Sequence, residues 1–168
     1  MGYTTQFEGG FKVNKKLDKD VADLINGITT TRRMKRDINK LAEKLNISKE
    51  LSLMKFGIEG EFYYDKEDFK NFGQSKDDTV IDYNKPPSTQ PSLWCQWYYF
   101  EKDNEIRWDL GEKFYNYVDW INYIIKKILA PRNYYLNGEV TWQGEEDDDK
   151  GFIEIKNNIL TVSQFILN

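Results

Sequence analysis

Trp94–Leu129, WCQWYYFEKDNEIRWDLGEKFYNYVDWINYIIKKIL, changes its apolar period from two to nearly four within one stretch, and that change decides the fold class. From Trp94 to Phe100 the side chains alternate, with Trp94, Gln96, Tyr98 and Phe100 on one face and Cys95, Trp97 and Tyr99 on the other. A strand is expected here, followed by a hairpin that turns near Asp103-Asn104 and closes at Trp108. Large rings on both faces place the strand centrally in a sheet, or between a helix and a loop. From about Leu110 to Leu129 the apolar residues Phe114, Tyr117, Val118, Ile121, Ile124, Ile125, Ile128 and Leu129 recur at i, i+3, i+4 and i+7, which predicts one long amphipathic helix. Asp109 and Glu112 have capping-box spacing. Lys126 and Lys127 suit the negative end of the helix dipole, and Pro131 blocks continuation.

Downstream, Tyr134–Gln143, Gly151–Lys156 and Ile159–Leu167 have the pattern of an antiparallel meander, with Asn157-Asn158 as a tight turn because Asn tolerates positive φ. Upstream, residues 3–13 predict a strand or hairpin, with Gly9-Gly10 as a bulge or turn. Asp18 offers an N-cap for a helix carrying Val21, Leu24, Ile25 and Ile28 and weakened by Gly27. A second short helix is expected from near Asp37 to about Asn46, then a further turn from Ser48 through Met54, and Glu61–Tyr64 predicts a strand. The expected fold is α+β: a mainly antiparallel sheet packed against one long amphipathic helix (about 110–129) and shorter N-terminal helices. A chain of 168 residues is most simply one domain, residues 1–168, long enough to bury a core without staples.

The segment Asn71–Trp97, NFGQSKDDTVIDYNKPPSTQPSLWCQW, is too long for a mere connector. Disordered segments avoid aromatic and β-branched residues, whereas Phe72, Val80, Ile81, Tyr83, Leu93 and Trp94 punctuate this one. A long ordered loop over 71–93 is expected. Pro86-Pro87 and Pro91 would make it a stiffened strut presenting Ser88, Thr89 and Gln90.

With 39% hydrophobic and 15% aromatic residues the chain has ample material for a packed interior, despite a mean hydropathy of -0.75. No apolar run approaches the roughly 20 residues of a membrane helix, and GYTTQF lacks the layout of a signal peptide. A cytoplasmic protein without membrane contact is the expectation. The single cysteine, Cys95, cannot form an intramolecular disulfide and fits a buried, inert thiol. The absence of histidine removes Ser/His and Cys/His pairs and the usual zinc sites. The net charge of -4 is uneven: residues 1–60 carry 12 Lys and Arg against 8 Asp and Glu, and residues 61–168 carry 12 against 20. Net acidity argues against general duplex nucleic-acid binding.

Arg32, Arg33, Lys35 and Arg36 follow three threonines, a mix that suits phosphate or carboxylate recognition because Arg grips such groups with a fork. The plainer account is a solvated face paired with the acidic half of the chain. The run Glu145–Asp149 is either a solvated hairpin tip, a cation binder or an imitation of nucleic-acid phosphate, and it lacks the spacing of an EF-hand. Asp77, Asp78 and Asp82, beside Thr79, Tyr83 and Asn84, concentrate oxygen atoms that suit either Mg²⁺ or local turns. No phosphate loop or dinucleotide fingerprint is present. No metal site and no cofactor is assigned.

GYTTQF at Gly2–Phe7, TRRM at Thr31–Met34, FGQ at Phe72–Gln74, DYNKPPSTQPSLWCQW at Asp82–Trp97, GEKFYNYVDW at Gly111–Trp120 and LNGEVTWQGE at Leu136–Glu145 together resemble a family of small uncharacterised proteins of bacteria and their phages. The resemblance spans nearly the whole chain and treats Asp37–Met54 as a helical insertion. It names no reaction. What it implies is a shared site, in which Arg32, Arg33, Gln74, Asp82, Asn84, Gln96, Glu112, Glu139, Gln143 and Glu145 converge on one face. The leading expectation is a binding protein, set in phage and host conflict, that holds a small anionic ligand or a protein partner. Two alternatives stand beside it: a His-free, divalent-cation-dependent hydrolase or transferase using Asp82, Glu139 or Glu145, and an acidic nucleic-acid-mimicking inhibitor. The many Tyr and Trp residues leave oligomeric state open.

Overall fold

The computed structural model describes residues 2–165, with positions 68, 69 and 71 described by their backbone alone. The strands are β1 (Gln6–Val13), β2 (Lys35–Arg36), β3 (Val80–Asp82), β4 (Trp97–Phe100), β5 (Glu105–Trp108), β6 (Leu136–Gln143), β7 (Lys150–Lys156) and β8 (Ile159–Gln164). The α-helices are α1 (Lys19–Thr30), α2 (Ile38–Leu45), α3 (Lys49–Phe56) and α4 (Tyr117–Tyr123). These elements fall into two compact units, one formed by residues up to Asn26 and from Gln96 onward, the other by Gly27–Cys95. The mixture of helices with an antiparallel sheet is an α+β fold.

The first unit is built on a six-stranded antiparallel sheet in the order β4-β5-β1-β6-β7-β8. Residues 3–13 supply one strand rather than a hairpin, because β1 pairs with β6 along its whole length, from Gln6 opposite Gln143 to Val13 opposite Leu136. Gly9 and Gly138 permit that approach. Both have positive φ (98° and 147°), and a Cβ on either would run into a backbone carbonyl of the facing strand. Period-two alternation then buries Phe7, Phe11, Val140, Ile153 and Ile155, each a side chain whose removal from water stabilises the fold by about 1.5–3 kcal/mol. Around Phe7 the rings of Trp97, Trp108, Phe114 and Tyr117 gather with centroids 4.9–5.7 Å away. Trp97 is fully buried, and its indole N–H donates to the Tyr117 carbonyl at 2.8 Å.

The expected β4–β5 hairpin forms, turning through Asn104 at φ 51°. Its first strand is the terminal strand of the sheet and not a central one. The rings on its two faces have separate reasons: Trp97 and Tyr99 enter the core, while Tyr98 and Phe100 pack against each other at 5.0 Å. The C-terminal meander follows β6, β7 and β8, with Asn157 and Asn158 both at positive φ in the turn. Residues 166 and 167 of the expected last strand lie outside the described residues.

The single long helix over 110–129 is not present. Leu110, Lys113 and Asn116 have φ of 70°, 59° and 59°, which no right-handed helix accommodates. The Asp109 carboxylate accepts from the Gly111 N–H in a local turn instead of capping a helix. The α-helix begins only at Tyr117, passes after Tyr123 into a π-helical segment over Ile124–Leu129, and ends in a 3₁₀ turn over Ala130–Arg132. Ile121, Ile124, Ile125, Ile128 and Leu129 form the buried stripe that the spacing indicated, and Trp120, outside that pattern, is fully buried as well. Phe114 is buried as well, yet it reaches the core from the loop before the helix.

In the second unit α2 starts after Asp37 as expected, and the turn expected from Ser48 is a full helix, α3. The Asp37 carboxylate accepts from the Asn39 and Lys40 N–H groups, and the Ser48 hydroxyl accepts from Leu51 N–H. Leu41, Phe56 and Tyr63 form the small core beneath them. Glu61–Tyr64 is a turn and not a strand. The carbonyls a strand would offer to a neighbour, those of Gly60, Glu61 and Tyr63, are taken by the Arg33 guanidinium. The 71–93 segment contributes β3, which pairs antiparallel with β2, so Lys35 faces Asp82 and Arg36 faces Val80. Cys95 is buried and accepts from the Thr29 hydroxyl. No helix among the described residues is long and apolar enough to cross a membrane.

Candidate functional site

The segment 32–37 is extended and laced to the long loop by its own backbone. Arg32 N–H donates to the Gly73 carbonyl, Arg33 N–H to Leu93, Lys35 N–H to Lys85 and Asp37 N–H to Thr79, at 2.7–2.8 Å. An extended backbone sends successive side chains in opposite directions, so the adjacent arginines have different fates.

Arg33 turns inward and is 2% exposed. Its Nε donates to Gln90 Oε1, its Nη1 to the Thr31 hydroxyl at 2.7 Å, and its Nη2 to the Glu61 and Tyr63 carbonyls at 3.0 and 2.8 Å. It acts as a strut that joins three stretches of chain. Arg36 is nearly as buried: it lies over the Tyr63 ring, and its Nη1 donates to both Asp77 oxygens and to the Thr79 hydroxyl. Lys44 donates to the same carboxylate at 2.8 Å. Burial works to raise the pKa of Asp77, but the hydrogen bonds from Lys44 and Thr79 and the charge of Arg36 hold it well below the usual carboxylate range.

Arg32 turns outward. Its guanidinium lies 4.1 Å from the centroid of the Tyr83 ring, its Nε donates to the Tyr83 carbonyl at 2.9 Å, and its Nη2 donates to Asn84 Oδ1 at 3.2 Å. Asn84 is set in turn by Asp82, whose carboxylate accepts the Asn84 N–H, and the Tyr83 hydroxyl donates to Gln74 Oε1 at 3.4 Å. Of the sequence-derived residues, Arg32, Gln74, Asp82 and Asn84 are thus brought together around Tyr83. A guanidinium has five donors. Two are engaged here, and among the described residues no protein acceptor meets Nη1.

Arg32, Arg33 and Arg36 also line one small notch with Thr31, Tyr63 and Asp65, with room at its floor for about one water-sized group. Positive groups outnumber the carboxylates there.

The other five candidates belong to the first unit, where their bonds are local. Gln96 is buried, donates to the Glu112 carbonyl at 2.6 Å and accepts from the Trp108 indole, tying down the strained loop before α4. Glu112 takes part through its backbone, with its side chain exposed. Glu139 is exposed in mid-strand, opposite Gly10 and Glu154. Gln143 donates to the Gly144 and Glu146 carbonyls and closes the acidic β6–β7 turn, while Glu145 accepts from the Thr4 N–H at 2.8 Å. Asp149 at the end of that turn accepts from the Tyr3 hydroxyl and the Trp142 indole.

Arg36, Asp77 and Tyr83 stood in the basic and oxygen-rich runs of the sequence but outside the set expected to converge, and Tyr63 belonged to neither. The available signal for Tyr83 was its position between Asp82 and Asn84, since a ring flanked by turn-forming side chains is held in place. Among the described residues no group of three or more Cys, Asp or Glu side chains is arranged to hold a metal ion. Together these features define an α+β protein with an arginine-lined notch. Comparison of the chain with protein-family models, with curated proteins and with solved structures finds no match.

Proposed function

We propose that this chain is a binding protein that holds a small anionic group, a phosphate or carboxylate, at the notch of Arg32, Arg33 and Arg36. The observation that carries this reading is the state of Arg32. Its ring stack and its two hydrogen bonds fix the guanidinium before any ligand arrives, so little side-chain entropy is lost on binding. The free Nη1 edge then offers paired N–H groups to an oxyanion in the geometry Arg uses for bidentate recognition. Arg33 and Arg36 add positive potential from behind; all three Arg33 nitrogens donate to protein acceptors, and Arg36 is paired with Asp77 through Nη1. The small floor favours a terminal oxyanion over a buried base or sugar.

Calorimetric titration with inorganic phosphate, nucleoside monophosphates and acetate at near-physiological salt tests it. Saturable binding by at least one of them is expected, weakened about tenfold or more in Arg32→Ala. Silence from all of them, or unchanged affinity in Arg32→Ala, counts against the proposal.

A further inference from the structure

A second cleft lies in the first unit, between the start of α4 and the β6 and β8 strands, with a volume of about 410 Å³. That is within the range of small-molecule sites. Tyr117 and Trp142 form its aromatic wall, with ring centroids 5.8 Å apart and planes inclined at 49°. Val118 and Val162 add apolar surface, and Asp119 stands at its edge. Among the described residues no lysine or arginine lines it.

We propose that this cleft binds an organic cation with an alkylated ammonium head, such as a quaternary ammonium group. Tyr117 and Trp142 both border this one volume, Trp142 with 7% of its surface exposed, and the negative quadrupole of an aromatic ring attracts a cation and repels an anion. The Asp119 carboxylate reinforces that sign, because it is exposed and among the described residues has no hydrogen-bond or ion-pair partner. Asp149, anchored by Tyr3 and Trp142, adds a second negative charge within electrostatic reach of the Tyr117 hydroxyl. The valines decide between kinds of cation. A bare ammonium is strongly hydrated and would lose water against them, whereas methyl groups gain by leaving water. The Tyr117 hydroxyl also lacks a protein partner among the described residues. Burial, then Asp149 and Tyr3, push its pKa up to about 12, so it remains a neutral donor through the physiological range.

The site is in a different unit from the arginine notch, and the two proposals stand or fall separately. The test is a titration of the full chain with choline, tetramethylammonium and 3,3-dimethyl-1-butanol, the neutral carbon counterpart of choline, followed by the Trp142 indole N–H resonance. Saturable shifts with both cations are expected, with the neutral alcohol weaker by about tenfold. Asp119→Asn, a change at an exposed and unpaired side chain, should weaken choline and leave the alcohol unchanged. A trimethyllysine peptide serves as the second arm. Tighter binding by the peptide assigns the head to a partner's side chain, and tighter binding by choline assigns it to a free metabolite. No saturable shift, equal response to the neutral alcohol, or full choline affinity in Asp119→Asn overturns the proposal.

Discussion

The guanidinium of Arg32 lies 4.1 Å from the centroid of the Tyr83 ring and donates to the carbonyl of the same residue, so one tyrosine both stacks and orients the half-buried arginine. Removing the ring keeps the backbone acceptor and loses the stack. Tyr83→Leu should therefore weaken anion binding about three- to tenfold, and the unfolding midpoint should move little because a partly solvated cation–π pair contributes about 1 kcal/mol. Arg32→Lys keeps the charge without the fork and should bind nearly as weakly as Arg32→Ala. Calorimetry on the three variants beside urea unfolding checks this. A lysine variant with full affinity would show that charge alone suffices.

Arg33 one position later should behave in the opposite way. Its guanidinium satisfies carbonyls from Glu61 and Tyr63 and side chains from Thr31 and Gln90, all in the buried interior of one unit. Arg33→Met removes a buried charged donor from each of those groups, although the Glu61 carbonyl keeps its bond from the Gln90 amide at 2.6 Å, and the expected loss is about 3–5 kcal/mol of unfolding free energy. Arg33→Lys should recover only part of this, since an ammonium cannot reach four directions from one plane. A variant that unfolds at the same urea concentration as the parent would refute the strut.

That contrast explains what was legible in the sequence. Apolar spacing identified the strands of the six-stranded sheet and the buried stripe of Ile121, Ile124, Ile125, Ile128 and Leu129, because periodicity reports which side chains face a core. It does not report the sign of φ. Leu110, Lys113 and Asn116 sit at positive φ with only Asn belonging to a type that tolerates it, so the spacing of Phe114 with Tyr117 and Val118 suggested a helix where the chain forms a loop. The same limit applied at the site. Arg32 and Arg33 are identical in sequence terms, and only the extended backbone between Gly73 and Leu93 assigns one outward and one inward. The sequence marks Tyr83 as an aromatic anchor of the loop, but its stacking role depends on an arginine some fifty residues earlier.

The β7–β8 turn gives a stability test independent of any ligand. Asn157 and Asn158 have φ of 46° and 70°, and the Asn158 side chain accepts from Leu136 N–H at 2.7 Å while donating to the Tyr134 carbonyl at 2.8 Å. Asn158→Gly keeps the backbone geometry but loses both bonds; Asn158→Ala also adds left-handed strain. The expected order of stability is parent, then Gly, then Ala, with Ala lower than parent by about 2–3 kcal/mol. Equal stability of the Gly and Ala variants in urea would argue against the left-handed turn.

The acid response of the second unit should be set in part by Glu59. Burial works to raise its pKa, but the Lys35 ammonium at 2.8 Å and the hydrogen bonds of Ser88 win and bring it from 4.5 down to about 2. A folded-state pKa below the unfolded one means that the unfolded chain binds the proton more readily. The stabilisation is therefore present in full above about pH 4.5 and is lost as the pH falls towards 2. Asp77 acts in the same direction and extends the loss to lower pH. The Glu59 side chain is 22% exposed, so solvent screening leaves a contribution of about 1–2 kcal/mol. Glu59→Gln cannot titrate. Its unfolding free energy should lie below the parent's at pH 7 by that amount and converge with it near pH 2, because protonation has by then cost the parent the same interaction. A constant gap between the two proteins from pH 7 to pH 2 would show that the Lys35 contact contributes nothing that depends on charge.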